Sequence, residues 1–390
     1  MSYKPSLSGR VLGLKPSGIR RFFDLLEERK DAISLGIGEP DFMTPWHVRD
    51  AGIHSLEKGY TKYTPNAGLS TLRAECAAYM DRRFGLSYNP KNEILVTVGG
   101  SEALDLTVRA MLNPGDEVIV PQPSFVAYDA VVTIAGGTPV PVETRAEDQF
   151  RLLPEQLRAA LTPRTKILVL PYPCNPTGGI MEFADLEAIA EVLRGTNVTI
   201  LSDEIYAELS YGKKHATIAS IPDMKERTII VGGLSKSHSM TGWRMGFAYG
   251  PAELISQMTK IHQYAIMSAP TVSQYAAICA LRDGDEDIAR MVAEYDTRRR
   301  LTLDGLNAIG LSCFDARGAF YLFPDIRVTG LDSESFCQRL LEEEDVAVIP
   351  GPAFGVGGEG FVRLCYASSA ENLQKALERM ARFVTRCKNG

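Results

Sequence analysis

Short, continuous apolar runs rich in β-branched residues alternate with longer segments of helical periodicity through the first two thirds of the chain. The runs are "EILVTV", "DEVIV", "TKILVL", "NVTIL" and "RTIIV", and helical patterns such as "SEALDLTVRAML" and "ADLEAIAEVLRG" lie between them. Strands buried on both faces read as continuous apolar runs. The pattern therefore predicts an α/β fold, with a mostly parallel sheet covered by helices on both faces.

One further apolar run, "RMGFAYG", follows "RTIIV" after only a short connection. Parallel neighbours need a crossover connection, which is usually a helix. We therefore expect this last strand to run antiparallel to the others.

The pattern changes near residue 285, where a long charged helical segment begins. The short strand and helix patterns that follow it are typical of a smaller α+β domain. A chain of 390 residues is also too long for one core, since single cores stop growing at about 250–300 residues. We predict a large domain over residues 44–285. Residues 1–43 and 286–390 form the predicted small domain, with a helix in the N-terminal arm within "SGIRRFFDLLEERKD".

Composition narrows the class of protein. The net charge of −6 argues against a nucleic-acid partner, and no apolar run is long enough for a membrane span. The N-terminus lacks the apolar core of a signal peptide, and seven scattered cysteines are typical of a reducing cytoplasm. No CxxC, HExxH or similar ligand spacing occurs, so we expect no metal site.

Small and polar residues follow the predicted strands where each strand ends, which is where ligands bind in open α/β sheets. The segment "GGSE" at 99–102 either cradles an anion or is a plain turn with Ser101 as N-cap. Asn175, within "PYPCNPTGG", is either a turn residue or a ligand-facing group. Asp203 ends the run "NVTIL" and is costly there unless paired. It therefore caps a helix, forms a core ion pair or binds a cationic ligand.

Three cations complete the set of candidate site residues. Lys236 lies between small residues in "GGLSKSHSMTGWR", and Arg244 follows eight positions later. They are either two surface charges or an amine for Schiff-base chemistry beside a forked donor for phosphate. Arg363 lies inside the apolar strand pattern "FVRLCYASS". A buried arginine needs an anion, which is either a ligand or a carboxylate of the other domain.

Together these segments resemble the class I and II aminotransferases, the fold-type-I enzymes that use pyridoxal 5′-phosphate (PLP). The resemblance covers nearly the whole chain, from "GIGEPDF" at 36–42 to "FVRLCYASS". The motifs "YTPNAGL", "GGSEAL", "NPTGG", "SDEIY", "SKSHSMTGWRMGF" and "VRL" occur in the family's order. The resemblance implies fold type I, with one antiparallel strand in the large sheet, and an aminotransferase that runs ping-pong kinetics.

The resemblance also implies a role for each matching residue. Lys236 would carry PLP covalently and act as general base, and Asp203 would pair with the pyridine nitrogen. Tyr206 and Asn175 would bind the phenolic oxygen, and Phe125 would stack on the ring. The phosphate would be held by Gly100, Ser101, Glu102 through its backbone, Ser235 and Arg244. Gly38, Asn175 and Arg363 would bind the substrate carboxylate.

Tyr63 matches a tyrosine that reaches the phosphate of the neighbouring subunit, which implies a homodimer with shared active sites. One departure from the family is Gly233, since many relatives carry serine three residues before the lysine. The cup for the phosphate would then have one hydroxyl donor fewer.

The substrate expectation rests on the loop "HQYAIMSAPT", which contains no arginine or lysine that could bind a side-chain carboxylate. Its Tyr264, Ile266 and Met267 indicate an aromatic or large neutral amino acid, with 2-oxoglutarate as acceptor, although Arg20 or Arg21 could supply a charge. Aspartate and acylated diaminopimelate stay open as substrates. Alternative functions are a PLP-dependent C–S β-lyase or racemase, and a PLP-binding regulator, which the short N-terminal segment and acidic charge disfavour.

Overall fold

The computed structural model describes residues 6–14, 29 and 31–389. The strands are β1 Ile33–Ser34, β2 Ile94–Val98, β3 Glu117–Gln122, β4 Thr138–Glu143, β5 Thr165–Leu170, β6 Thr199–Asp203, β7 Thr228–Gly233, β8 Met245–Tyr249, β9 Tyr321–Leu322, β10 Val346–Ala347, β11 Ile349–Pro350 and β12 Val362–Cys365. Seven of them form one sheet in the order β2-β8-β7-β6-β5-β3-β4.

The direction of the last strand in this sheet was predicted correctly. β8 pairs antiparallel with both β2 and β7, while the pairs from β7 through to β4 are parallel. Because β8 is antiparallel to both neighbours, β2 and β7 point the same way. The carboxyl ends of the other six strands therefore lie at one edge of the sheet, where the predicted site residues follow them.

β4 is a strand that the apolar pattern did not predict. Its sequence "TPVPVE" contains two prolines, which cannot donate ladder hydrogen bonds. The strand is at the edge of the sheet beside β3, so one side has no partner strand and the missing donors break no ladder.

Helices cover both faces of the large sheet, as predicted. Leu95, Leu201 and Ile229 share a core with the helix that begins at Gly99, whereas Ile94 and Ile230 belong to the core of the opposite face. The helices of the described residues are Gly9–Leu12, Trp46–Glu57, Ser70–Phe84, Gly99–Met111, Ala127–Ala135, Pro154–Ala160, Phe183–Leu193, Ala252–Ala265, Thr271–Asp283, Asp285–Ala308, Ser333–Glu344 and Ala370–Asn389. None of them is long and apolar enough to span a bilayer.

The C-terminal part holds two small sheets. β11, β12 and β9 form an antiparallel sheet, and β10 pairs with β1 from the N-terminal part of the chain. The large aromatic side chains Phe320, Phe336 and Phe383 fill the core that these elements share. The division into two domains at residues 44 and 285 stays a prediction. The predicted N-terminal helix falls mostly on residues 15–28 and 30, outside the described ones.

Candidate active site

A cavity of about 430 Å³ opens at the carboxyl edge of the large sheet and is closed on one side by β9 and β12. It brings together eleven of the thirteen predicted site residues. These are Gly38, Gly100, Ser101, Phe125, Asn175, Asp203, Tyr206, Ser235, Lys236, Arg244 and Arg363. The residues come from the ends of five strands of the large sheet, from the small sheet and from the "GIGEPDF" segment.

The amine of Lys236 is largely shielded from water. It lies just past the end of β7 and donates to the carbonyl of Gly38 over 2.6 Å. Burial disfavours the charged form and lowers the pKa of Lys236 to about 8, against a partly opposing effect of Cys365 and Glu39. A substantial fraction of this amine is therefore neutral near pH 8, which is the state that a nucleophile or general base requires.

Asp203 is the buried acid of the site. Its carboxylate accepts from the hydroxyl of Tyr128 over 2.7 Å and from the backbone N–H of Ile205 over 3.2 Å. Among the described residues it forms no ion pair. Desolvation raises its pKa to about 6 although both hydrogen bonds oppose the shift. A carboxylate buried in this way favours a cationic ligand that faces it.

This raised pKa predicts how stability depends on pH. The folded protein holds a proton on Asp203 that the unfolded chain, with a pKa near 3.8, releases earlier. The free energy of unfolding of the cofactor-free protein should therefore fall by up to about 3 kcal/mol as the pH rises from 4 through 6. Asp203→Asn removes this loss, so the variant should be more stable than the wild type at pH 8 and equally stable near pH 4.

Urea unfolding of both cofactor-free proteins at the two pH values measures the difference directly. Asp203→Asn keeps the shape of the side chain, and its amide can still pair with Tyr128 and Ile205. Equal stability of the two proteins at pH 8 would show that burying this carboxylate carries no cost.

Arg244 and the helix that begins at Gly99 form an anion cup. Gly99 has a φ of +75°, a backbone conformation that favours glycine, and a Cβ added there would overlap the guanidinium of Arg244. The guanidinium thus lies against the N-terminus of a 13-residue helix, where two positive ends meet. Arg244 donates to the carbonyl of Thr241 and forms no ion pair with any described residue. Arg244 is exposed, and an anion bound here would be stabilised by both the guanidinium and the helix N-terminus.

The departure at Gly233 has a steric reason. A Cβ at this position would lie 2.8 Å from Cδ1 of Ile205 and 3.0 Å from the carbonyl of Met245. Ile205 itself lines the cavity. In this chain the space that a serine at position 233 would need is therefore filled by the isoleucine.

Arg363 is a buried cation without a carboxylate partner among the described residues. It is 3% exposed, and it donates to Oδ1 of Asn175 over 2.8 Å and to the carbonyl of Gly36 over 2.5 Å. Its buried Nε has no hydrogen-bond partner. The alternative of a salt bridge to the other domain is therefore not realised, and a ligand carboxylate would satisfy the charge.

Two predicted residues lie outside the cavity lining. The carboxylate of Glu102 turns away, accepting from the backbone N–H of Val98 and contacting Nδ1 of His262 over 2.7 Å. Glu102 was predicted to bind the phosphate through its backbone N–H, and these side-chain contacts do not test that prediction. Tyr63 is 83% exposed, in keeping with the expectation that it acts on a neighbouring subunit.

Sequence reasoning missed several residues that line the cavity, among them Tyr128, Ile205 and Tyr321. Tyr128 lies one helical turn after Phe125, and its ring meets Phe125 edge to face at 5.8 Å. That spacing was the available signal for Tyr128. Tyr321 contacts Tyr206 and Arg363, but it belongs to a different sheet, and no local pattern links it to them.

These features fit a ligand such as PLP. The cavity offers an anion cup at one end, a buried carboxylate for a cationic ring nitrogen, an amine of lowered pKa and an aromatic ring, Phe125, at the wall. The orphaned Nε of Arg363 leaves a second anion site for a substrate.

Comparison with known proteins agrees with this chemistry. The family model for aminotransferase class I and II matches residues 30–380. YugH of Bacillus subtilis (strain 168), which carries the name of an aminotransferase, is 52% identical over 97% of this chain and 98% of its own length. A second protein of that organism, named as an N-acetyl-LL-diaminopimelate aminotransferase, is 42% identical over 97% of this chain and 95% of its own.

Solved structures give the same result. The aromatic aminotransferase from Pyrococcus horikoshii OT3 is 44% identical, with a TM-score of 0.90 over 94% of this chain and 99% of that one. The aspartate aminotransferase from Thermus thermophilus, solved with maleate, is 41% identical, with a TM-score of 0.92 over 97% and 100% of the two chains. Similarity at this level over nearly full length fixes both fold and family. The chain belongs to the class I and II aminotransferases, and it is a transaminase of PLP fold type I with PLP as its cofactor.

Proposed function

We propose that the enzyme transaminates an aromatic or other large neutral L-amino acid, with 2-oxoglutarate as amino acceptor and ping-pong kinetics. The observation that carries this proposal is the distribution of positive charge in the cavity. Lys236, Arg244 and Arg363 are the only cations among the described residues that line it, and each would have a separate task.

The residues that would hold PLP follow from their chemistry. Lys236 would carry it covalently, and Asp203 would face the pyridine nitrogen, where a positive charge relieves the cost of burial. Arg244 supplies a forked donor for the phosphate. The further predicted contacts are the phosphate donors Gly100, Ser101, Glu102 and Ser235, the ring contact Phe125, and the oxygen donors Tyr206 and Asn175. Bound PLP supplies an electron sink for breaking a bond at the substrate Cα.

Arg363 and Lys236 would select which bond breaks. Arg363 would offer its unsatisfied Nε–H to the α-carboxylate, while Asn175 accepts from Nη1 and fixes the guanidinium. With the carboxylate held, Cα is confined near the amine of Lys236. The amine, which burial keeps partly neutral, can then take the Cα proton and return it elsewhere. Proton transfer without loss of the carboxylate is the step that distinguishes transamination from decarboxylation.

The proposal that the substrate side chain is uncharged rests on the other residues that line the cavity. With Arg363 committed to the α-carboxylate, no described cation that lines the cavity is left for a side-chain carboxylate. Ile37, Leu104 and Ile205 contribute apolar surface to the lining. Tyr264, Ile266 and Met267, on which the substrate expectation rested, do not line this cavity and are exposed in the isolated chain.

The proposed acceptor, 2-oxoglutarate, requires a further cation in the cavity. 2-Oxoglutarate carries a second carboxylate, which must enter the same cavity in the second half of a ping-pong cycle. Arg20 and Arg21 are the predicted candidates for that charge, and both lie outside the described residues. Alanine substitution of each would raise the KM for 2-oxoglutarate if that arginine binds it.

A panel of amino donors tests the substrate. Phenylalanine, tyrosine, methionine, leucine, aspartate and N-acetyl-LL-diaminopimelate are each offered with 2-oxoglutarate, and kcat/KM is measured from glutamate formation. We expect the aromatic donors and methionine to exceed aspartate at least about tenfold, because a buried carboxylate without a partner costs more than 1.4 kcal/mol. Rapid turnover of aspartate alone would refute the apolar pocket. Pyruvate and ammonia from a cysteine conjugate, formed without a keto acid, would indicate a β-lyase.

We also propose that the enzyme is a homodimer with shared active sites. Trp46, Ile53 and Leu56 on one helix are 46–61% exposed, and Tyr60 and Tyr63 continue this apolar surface. Asn66 donates to the carbonyl of Met267 over 2.8 Å, which ties the segment of Tyr63 to the exposed 264–267 loop. Contiguous apolar surface of this kind is typical of an interface.

Sedimentation equilibrium at micromolar concentration should give twice the mass of the chain. Equal amounts of Tyr63→Ala and Lys236→Ala proteins, mixed to exchange subunits, should be more active than either alone if Tyr63 serves the partner's site.

We include a cytoplasmic location in the proposal, because all seven cysteines are free thiols.

A further inference from the structure

Tyr321 contacts three predicted site residues at once. Its hydroxyl lies 2.8 Å from that of Tyr206, and its ring lies 4.7 Å from the guanidinium carbon of Arg363. A Cβ on Gly38 would collide with the same hydroxyl, so glycine at this position leaves the room that the phenol occupies. Tyr321 is 1% exposed, and it lines the cavity from β9.

The direction of the hydrogen bond between the two phenols follows from counting protons. Each hydroxyl carries one proton, and burial raises the pKa of both tyrosines, so neither ionises at neutral pH. If Tyr206 gives its proton to an oxygen of the bound cofactor, its own oxygen must accept from Tyr321. Among the described residues, Tyr206 is the only hydrogen-bond partner of the Tyr321 hydroxyl. The chain of donors therefore runs from Tyr321 through Tyr206 to the ligand.

Such a chain does more than fill space. A hydroxyl that accepts one hydrogen bond becomes a stronger donor of its own proton, and the contact also stops the Tyr206 hydroxyl from rotating away. The ring of Tyr321 meanwhile supports Arg363 through a cation–π contact, as does Phe354 at 4.8 Å. One residue thus contacts both the group predicted to bind the cofactor oxygen and the group predicted to bind the substrate carboxylate.

We infer that Tyr321 is a positioning residue for the transamination site, whose hydroxyl aligns Tyr206 toward the cofactor oxygen and whose ring holds Arg363 for the substrate carboxylate. The inference rests on the proposed roles of Tyr206 and Arg363. It assigns separate tasks to the two parts of one side chain, and those parts can be removed one at a time.

The hydroxyl is tested with Tyr321→Phe, which keeps the ring. A donor to the ligand oxygen stabilises its negative charge and lowers the pKa of the visible absorption of the PLP-loaded enzyme. Loss of Tyr321 as donor should raise this apparent pKa by about 0.5–1 unit, the equivalent of one modest hydrogen bond. In a Tyr206→Phe background the same substitution should have no further effect, because the relay is already broken.

Tyr211→Phe is the matched control. Its hydroxyl is also buried and donates over 2.6 Å to the carbonyl of Ala319, but Tyr211 does not line the cavity. It should leave the spectral pKa unchanged. An unshifted pKa in Tyr321→Phe, or a shift that persists fully without Tyr206, would overturn the relay.

The ring is tested with Tyr321→Leu and a simple carboxylate, 3-phenylpropionate, whose affinity is read from the absorbance of the loaded enzyme. Tyr321→Phe should bind it within twofold of the wild type, whereas Tyr321→Leu should bind it at least about fivefold more weakly, as expected for the loss of a desolvated cation–π contact. Equal affinities in all three proteins would overturn the role of the ring. Failure of the proposed function looks different, because the wild type itself would then keep its visible band but bind no 3-phenylpropionate.

Discussion

Replacing Lys236 with alanine will abolish transamination while leaving a folded protein that still takes up PLP. The amine is predicted both to hold the cofactor covalently and to move the Cα proton, so kcat should fall by at least about 10⁴-fold. The fold should survive, because Lys236 loses only a hydrogen bond to the carbonyl of Gly38 and its burial is itself unfavourable. The other predicted PLP contacts remain, and PLP should bind reversibly.

Initial rates with a good amino donor measure the loss of activity. The absorbance of PLP that stays with the protein before and after dialysis measures reversible binding. Lys375→Ala is the matched control, since that lysine pairs with Glu371 on the exposed face of the C-terminal helix Ala370–Asn389. It should behave as the wild type. Wild-type activity in Lys236→Ala would remove the central assignment of the site.

Replacing Arg363 with lysine will lower kcat/KM for α-amino acids about 10²- to 10³-fold, because the charge is kept but the forked donor is lost. Lysine cannot hold Asn175 and the carbonyl of Gly36 while it also binds a carboxylate. The loss should appear with every amino acid of the panel, whatever its side chain.

The control exploits a second buried arginine. Arg299 is buried like Arg363, with 8% of its surface exposed. Unlike Arg363, it pairs with Asp296 and Asp315 outside the cavity. Arg299→Lys should lower thermal stability and leave KM unchanged. An amine without a carboxylate, such as phenethylamine, should react equally slowly with the wild type and with Arg363→Lys. An equal loss with the amine would show that Arg363 does not bind the carboxylate.

Much of the large sheet could be predicted because its strands are buried on both faces. Runs such as "TKILVL" contain few polar residues to obscure them, and the antiparallel β8 followed from a short connection. β4 could not be predicted in the same way, since "TPVPVE" has the prolines of an edge strand and the exposure of a loop. β9 is only two residues long, so its place in the small sheet depends on tertiary contacts.

The site residues, too, include some that local sequence patterns predict and some that depend on tertiary contacts. Asp203, Lys236 and Asn175 could be found from the sequence because they follow strands whose carboxyl ends share one edge. Tyr321 could not, because it reaches the cavity from another sheet, and its partners lie more than 40 positions away in the sequence. The effect of Gly233 was also beyond the sequence. Only the packed structure reveals that Ile205 lies in the space that a side chain at position 233 would need.

The most direct test of the account is a visible spectrum of the purified protein reconstituted with PLP. We predict a yellow protein whose band is lost when phenylalanine is added, with one equivalent of phenylpyruvate released per site. The band should return on adding 2-oxoglutarate. A protein that stays colourless with PLP, or a yellow protein whose band no amino acid of the panel alters, would contradict the assignment of this cavity as a transamination site.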